Sequence, residues 1–396
     1  MERVVTPARP DVARNGGSSS ISVPAFGSVE GFMDAMGMRK RHEYVDLYPR
    51  DGTKEIEKLE SEIAELIGIE SRHVLVFSNG MSAINTLVEA ASPALGTVVL
   101  HANDEYSRTR VYLGDQLPLR GVKSVRVDTL STENIRNALR RHRPNIIVLE
   151  TVANGPNVPV IDIDALFSMD ALRQSCPLII LDNTLPTPTL VPPERLLRRG
   201  FRVAVIESGM KAFSDNVEMV GIVYTHDNEL RSELWERRIS LGSMPSFYQA
   251  RRLAQVVGAH SKAEFDEKNR RMCCNTLEIA RACHDAEGDG SVFVVSHPNL
   301  STHPNSGIAN RLYPDGATPV FFIQCTGIGQ AALAKTLMDS EFINRNCKLG
   351  QSFGFEDTRI FPDGVAPTVR IAGGHNVADV EREAAAFRDA LLMLRS

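Results

Sequence analysis

Short apolar runs alternating with amphipathic helical patterns predict an α/β fold with a mainly parallel sheet flanked by helices, over residues 53–250. Two further observations complete the class. From about residue 251 the strand-like runs thin out, which predicts a smaller C-terminal α+β domain over 251–396. Residues 1–52 are rich in glycine, proline and serine with little periodicity, including Gly16-Gly17-Ser18-Ser19-Ser20, and predict an irregular N-terminal arm.

The first helix is expected from about Thr53, because Ile56, Leu59, Ile63, Leu66 and Ile67 recur at three and four residues and share a face. Val74–Phe77 then reads as a strand, followed by a helix from about Gly80 to Ala91. Val98–Leu100, Ser124–Val127, Ile146–Leu149, Leu178–Leu181 and Val203–Ile206 are further strand-like runs, with helical stretches such as Thr132–Arg140 and Ile163–Arg173 between them. Right-handed crossovers of this kind place helices on both faces of the sheet. A long polar-amphipathic helix is expected over roughly Ser246–Ala282, then strands at Val292–Val295 and Val320–Gln324, and a last helix over Val377–Leu394.

Composition narrows the class of function. The chain has 396 residues with 43% hydrophobic and 23% charged side chains, enough apolar content to bury a large core. Its 44 basic and 49 acidic residues leave a net charge of -5, without the basic stripe that neutralises nucleic-acid phosphates. No apolar run approaches the roughly 18 residues needed to cross a bilayer, and the segment Met1 to Gly17 lacks the apolar core of a signal peptide. A cytoplasmic location follows as the expectation. Six cysteines with no CxxC pair and no zinc-like spacing point to reduced, mostly buried thiols and no metal site.

In an open α/β sheet, ligands bind beyond the carboxyl ends of the strands, so the residues just after each strand matter most. Ser78-Asn79-Gly80-Met81-Ser82 is a glycine turn feeding a helix N-terminus, an anion cradle by its free N–H groups and dipole. Alone such a turn often serves tightness only. Asp182-Asn183-Thr184 follows one strand and Glu207-Ser208-Gly209-Met210-Lys211 another. An acid, a lysine and an anion cradle on one side of a sheet suit pyridoxal 5'-phosphate. That cofactor needs an amine for its aldehyde, a carboxylate against its pyridine nitrogen, and a phosphate site.

The chain resembles the cystathionine γ-synthase, cystathionine lyase and methionine γ-lyase family of pyridoxal-phosphate enzymes (fold type I). Ser78–Ile84 resembles its SSGMAAI segment, Glu150–Pro156 its ETPSNP, Asp182–Thr184 its DNT and Ser208–Lys211 its SxTK. Leu241-Gly242-Ser243-Met244, His303-Pro304 and Val369–Gly374 are similar to its LGS, SHP and RLSVG, in order along residues 44–390. The resemblance implies an aspartate-aminotransferase-like large domain.

It also implies roles. Lys211 carries the cofactor as a Schiff base and moves protons, Asp182 pairs with the pyridinium nitrogen, and Tyr106 stacks on the ring and serves as acid or base. Gly80, Met81 and Ser208 hold the phosphate, and Asn154 bonds the phenolic oxygen. Arg370, helped by Ser352, clamps the substrate carboxylate. Tyr48 and Arg50 match the YxR of an arm that reaches a neighbouring subunit's phosphate, implying a homo-oligomer of at least two subunits, usually a tetramer.

Three departures stand out. Met210 replaces a hydroxyl residue, Ser214-Asp215-Asn216-Val217-Glu218 replaces a GHSD-like stretch, and Arg108 stands where close relatives carry glycine or cysteine. Arg108 either greets an anionic or strongly polar leaving group or pairs with Asp104 or Glu105 at the rim. The implied reaction is γ-elimination or γ-replacement on an amino acid with a leaving group at Cγ. A β-lyase, another reaction on the same fold, and a non-catalytic cofactor-binding homologue remain alternatives.

Overall fold

The computed structural model describes residues 52–395, apart from residues 92, 93, 176, 199 and 365. Tyr48, Arg50 and all but the last residue of the expected arm lie outside the described residues.

The first helix, Lys54–Ile67, begins where Thr53 caps it, the side chain accepting from the Ile56 N–H, and ends on Gly68 in the left-handed conformation. The strands that follow are β1 (Val74–Phe77), β2 (Val98–Ala102), β3 (Lys123–Val127), β4 (Ile146–Glu150), β5 (Leu178–Asp182), β6 (Arg202–Ser208) and β7 (Gly221–Tyr224). They form one sheet in the order β1-β7-β6-β5-β4-β2-β3. Neighbours from β6 to β3 are parallel, whereas β7 is antiparallel to both β1 and β6. Gly221–Tyr224 was not among the expected strands. Its short Gly-Ile-Val-Tyr run is fully buried between two partners, a context its own length does not announce.

Alternation along each strand divides the core into two layers. Ile147, Leu149, Ile179, Leu181, Val203 and Val205 pack on one face with Ile56, Leu59 and Ile63 of the first helix. Ile146, Val148, Leu178, Ile180, Ala204 and Ile206 pack on the other with Ala83, Ile84 and Leu87 of the helix Gly80–Ala90. The same parity carried to the strand ends puts Glu150, Asp182 and Ser208 on the second face, beside the start of that helix.

A second, smaller sheet follows, made of β8 (Phe293–Ser296), β9 (Val320–Cys325), β10 (Lys348–Leu349), β11 (Arg359–Pro362) and β12 (Thr368–Ala372), in the order β10-β11-β12-β9-β8. Its core joins Phe293, Phe321, Ile323 and Ile371 to Ile279 and Cys283 of one helix and to Phe387 and Leu391 of the last helix, Val380–Leu392.

The long helix expected over Ser246–Ala282 is two helices, Phe247–Val257 and Lys262–Asp285. Each starts at a serine capping box, Ser246 with Gln249 and Ser261 with Glu264, and these caps interrupt the periodic pattern. The first of the pair places Ala250, Leu253, Ala254 and Val257 in the core of the large sheet, so residue 250 falls within a helix that packs there. The stretch Ile163–Arg173 is likewise split, into Ile163–Phe167 and Asp170–Ser175. Among the described cysteines all five are free, with Cys273, Cys283 and Cys347 buried.

Candidate active site

The site is built at the carboxyl edge of the large sheet. Asp182 ends β5 half-buried, and its Oδ1 accepts from the Thr184 N–H at 3.0 Å. Burial is the main cause of its raised pKa, with the Thr184 hydrogen bonds pulling the other way. Its register partner on β4 is Glu150. Glu150 is 6% exposed, and burial first, then the charge of Asp182, pushes its pKa well above the ordinary carboxylate value. Its two oxygens accept from the backbone N–H groups of Tyr106 at 2.6 Å and Asn154 at 2.7 Å. One buried carboxylate thus ties together the loops carrying two of the expected cofactor residues.

The anion cradle forms as its sequence requires. Asn79 caps the helix Gly80–Ala90 by accepting from the Ser82 N–H at 2.9 Å, and Ser82 Oγ accepts from the Asn79 N–H at 3.1 Å. The first-turn N–H groups of Gly80 and Met81 have no partner within the helix, because there is no preceding turn. Opposite them stands Ser208, whose own N–H is engaged by Thr184 Oγ1 at 2.9 Å. A Cβ built on Gly80 would lie 3.2 Å from Ser208 Cβ, so the two walls of the cradle meet there. Met81 leans the other way, its Sδ 3.8 Å from Thr109 Oγ1 in the turn that follows Tyr106.

Lys211 sits in the short helix Gly209–Ala212 directly after β6. Its Nζ donates to Ser352 Oγ at 2.5 Å and lies 5.7 Å from the centre of the Phe353 ring. Burial, with a smaller contribution from the positive charge of Arg370, lowers its pKa to about 8. Arg370 projects from β12, its guanidinium 5.5 Å from the Phe361 ring centre. Burial lowers its own pKa, while the charge of Asp363 acts to raise it. The second sheet therefore brings Arg370 to the edge of the first.

Tyr106 is 42% exposed at the start of the helix Ser107–Val111. Arg108 is exposed on that helix, and no described side chain pairs with it. The rim pairing open to it does not form: Asp104 accepts from Asn157 Nδ2 at 3.3 Å, and Glu105 is buried against His101 Nδ1 at 2.5 Å. Arg110 instead donates to the Asn103 carbonyl at 3.4 Å.

Contacts thus join Tyr106 and Asn154 through Glu150, Ser208 to Gly80, and Lys211 to Ser352 with the charge of Arg370 felt at the amine, while Asp182 ends the strand beside β6; Tyr48 and Arg50 lie outside the described residues. Two residues that contact expected site residues escaped the sequence reading. Glu150 lay inside a quoted stretch at a strand end, opposite Asp182, and that position was its signal. Asn216 was visible only as a departure; the structure shows it bonded to Ser352 and Phe353.

A family model described as Cys/Met metabolism PLP-dependent enzyme matches residues 18–351, most of the chain. The chain belongs to that family. A cystathionine gamma-lyase of Bacillus subtilis is 29% identical over 66% of this chain and 64% of its own length. An L-methionine gamma-lyase of Treponema denticola is 29% identical over 74% and 69%. A cystathionine beta-lyase of Schizosaccharomyces pombe is 26% identical over 50% of this chain, and the match spans about half of that relative. A solved cystathionine gamma synthase from Xanthomonas oryzae superposes with a TM-score of 0.72 at 22% identity, over 88% of each chain, and shares the fold.

Membership of this Cys/Met metabolism family brings pyridoxal 5'-phosphate as the cofactor, and the side chains present fit it. Among the described residues the Asp182 carboxyl is hydrogen-bonded by Thr184 alone, and it lacks the cation that a pyridinium would supply. Lys211 is a half-buried amine near neutrality, and the Gly80–Ser208 cradle offers N–H and hydroxyl donors to a phosphate. Among the described residues there is no cluster of metal-ligating side chains, and no described helix is long and apolar enough to cross a membrane.

Proposed function

We propose that this chain catalyses γ-elimination or γ-replacement on an amino acid carrying its leaving group at Cγ. The observation that carries the reading is the half-buried Lys211 amine, its pKa lowered to about 8, in the short helix that follows β6, the strand paired with the one that ends in Asp182. The named relatives, cystathionine gamma-lyase and methionine gamma-lyase among them, support it.

When bound, pyridoxal 5'-phosphate supplies an electron sink for the pair left at Cα after a proton is removed. Asp182 would keep the ring nitrogen protonated. Gly80, Met81 and Ser208 would hold the phosphate, and Asn154 the phenolic oxygen. Arg370 would grip the substrate carboxylate as a fork, with Ser352 beside it. Lys211 would accept the Cα proton at Nζ, an amine whose pKa is lowered to about 8 being suited to take and return protons. Tyr106 would stand over the reacting carbons and donate its phenolic proton to the departing group. Arg108, free of any described partner, would meet an anionic or strongly polar leaving group.

The proposal extends to the assembly: a homo-oligomer, a tetramer built from dimers, in which Tyr48 and Arg50 of the arm 1–52 complete a neighbour's phosphate site. It also retains the division into large (53–250) and small (251–396) domains and a cytoplasmic setting.

Incubating the full chain and cofactor with amino acids bearing sulfur, oxygen or halide groups at Cγ tests the reading. Ammonia and a four-carbon keto acid, or a replacement product when a thiol is supplied, are expected. Turnover confined to cysteine-type substrates, yielding pyruvate, would move the chain to the β-lyase activity named for the Schizosaccharomyces pombe relative. No turnover of any of them would leave a cofactor-binding homologue.

A further inference from the structure

The stretch Ser214–Glu218, which departs from the family's GHSD-like sequence, meets the loop Ser352–Phe353 that holds the Lys211 amine. Asn216 Nδ2 donates to the Phe353 carbonyl at 2.8 Å, and Asn216 Oδ1 accepts from Ser352 Oγ at 3.1 Å. Lys211 Nζ reaches the same Ser352 Oγ at 2.5 Å. Counting protons fixes the direction of each bond. Turning the amide over would set Oδ1 against the Phe353 carbonyl, two acceptors face to face, so Nδ2 faces Phe353 and Oδ1 faces Ser352. A hydroxyl carries one proton, and that of Ser352 is engaged by Asn216. The other acceptor near it, the Phe353 carbonyl, is 3.5 Å away and already takes the amide. Ser352 can therefore only accept from Lys211, and the lone pair of the neutral amine is directed away from it.

The backbone gives a second, independent sign. Asp215 (φ 49°), Asn216 (φ 60°), Ser352 (φ 79°) and Gly354 (φ 86°) all lie in the left-handed region at this one junction. Glycine tolerates that region and asparagine and aspartate enter it readily, but for Ser352 it is a costly conformation. A Cβ on Gly354 would lie 2.4 Å from the Lys211 carbonyl, so the loop is pressed against the lysine's own backbone. Lys268 anchors the other strand of the junction, donating to Asp215 Oδ1 at 2.6 Å and to the Ala212 carbonyl at 2.8 Å. Such strain persists only where the surroundings hold it.

We propose that Asn216 is a positioning residue that fixes Ser352 as a hydrogen-bond acceptor and so presents the Lys211 lone pair to the cofactor aldehyde. The inference rests on Lys211 being the amine that bears the cofactor.

The test is the rate at which the full chain, stripped of cofactor, captures pyridoxal 5'-phosphate, the amine and aldehyde condensing with loss of one water. Asn216→Leu is expected to slow capture about tenfold, the scale of one lost hydrogen bond. Asn216→Asp, which keeps the acceptor, restores part of the rate. In a Ser352→Ala background, Asn216→Leu adds nothing, because its effect runs through Ser352. Should Asn216→Leu not fold, Asn216→Ser, too short to span both partners, enters the same cycle. Wild-type capture rates in Asn216→Leu, or a loss that persists undiminished without the Ser352 hydroxyl, overturn the inference alone. Absence of capture by the wild-type chain overturns the reading of Lys211 and this inference with it.

Discussion

Glu150 and Asp182 are direct partners across β4 and β5, and their carboxyl groups share the face of the sheet that carries the site. Two acids so close cannot both ionise without cost, and burial compounds the effect for each. A pyridinium beside Asp182 would supply the positive charge its carboxyl lacks. Glu150 is engaged elsewhere: both its oxygens are spent on the N–H groups of Tyr106 and Asn154. The strand pairing thus leaves Asp182 for the proposed cofactor contact and commits Glu150 to the loops around it.

Glu150→Ala should therefore weaken stability and cofactor affinity together. It leaves two backbone N–H groups without acceptors, each costing about 1–3 kcal/mol where buried. Glu150→Gln keeps one carbonyl acceptor and should lose less. Denaturant unfolding and cofactor titration check this; unchanged values for Glu150→Ala would refute the clamp.

Arg370→Met should move the proton affinity of Lys211 upward. Burial is the larger cause of its lowered pKa and remains, while the guanidinium charge that disfavours a second cation is removed. The midpoint of cofactor capture against pH is expected to rise from about 8 without reaching the ordinary lysine value of 10.5. A midpoint that falls would contradict the sign.

Glu207 carries a separate pH dependence. It lies on the face opposite Asp182, 2% exposed, bonded by Asn183 Nδ2 at 2.8 Å and the Tyr224 hydroxyl at 3.1 Å. Burial raises its pKa from 4.5 to about 8, so the folded chain keeps a proton that the unfolded chain releases between those values. Its contribution to stability is accordingly lost as pH rises through that window, by up to a few kcal/mol. Glu207→Gln should flatten the decline, measured as unfolding free energy from pH 5 to 9; an equally steep decline in the variant would rule the group out.

Arg108→Gly should change the preference among leaving groups more than cofactor affinity. The side chain is exposed and has no described partner, so its loss strips no internal contact. Relative kcat/KM for anionic against neutral leaving groups is expected to fall by about tenfold, the scale of one charge-assisted hydrogen bond. Identical ratios in both proteins would assign Arg108 to the solvated surface.

Much of this was legible in the sequence because parallel strands, buried on both faces, read as short apolar runs. The strands expected at Val74–Phe77, Ile146–Leu149, Leu178–Leu181 and Val203–Ile206 all form, the last three extended by polar end residues that hydropathy could not assign. At the carboxyl ends those extensions are Glu150, Asp182, Glu207 and Ser208, three of which line the candidate site. β7 was missed because four residues carry no period, and β10 to β12 because runs of two, four and five residues carry little more. Arg370 was found by its motif, not by recognising its strand. Asn216 was legible only as something out of pattern; its role depends on a left-handed backbone and a loop 136 residues away.

The most direct measurement is borohydride reduction of the cofactor-loaded chain, followed by mass mapping of its peptides. A stable cofactor adduct on the peptide containing Lys211, absent from Lys211→Ala, is the expected result. An adduct on a different lysine, or none at all from a chain saturated with pyridoxal 5'-phosphate, would contradict the assignment.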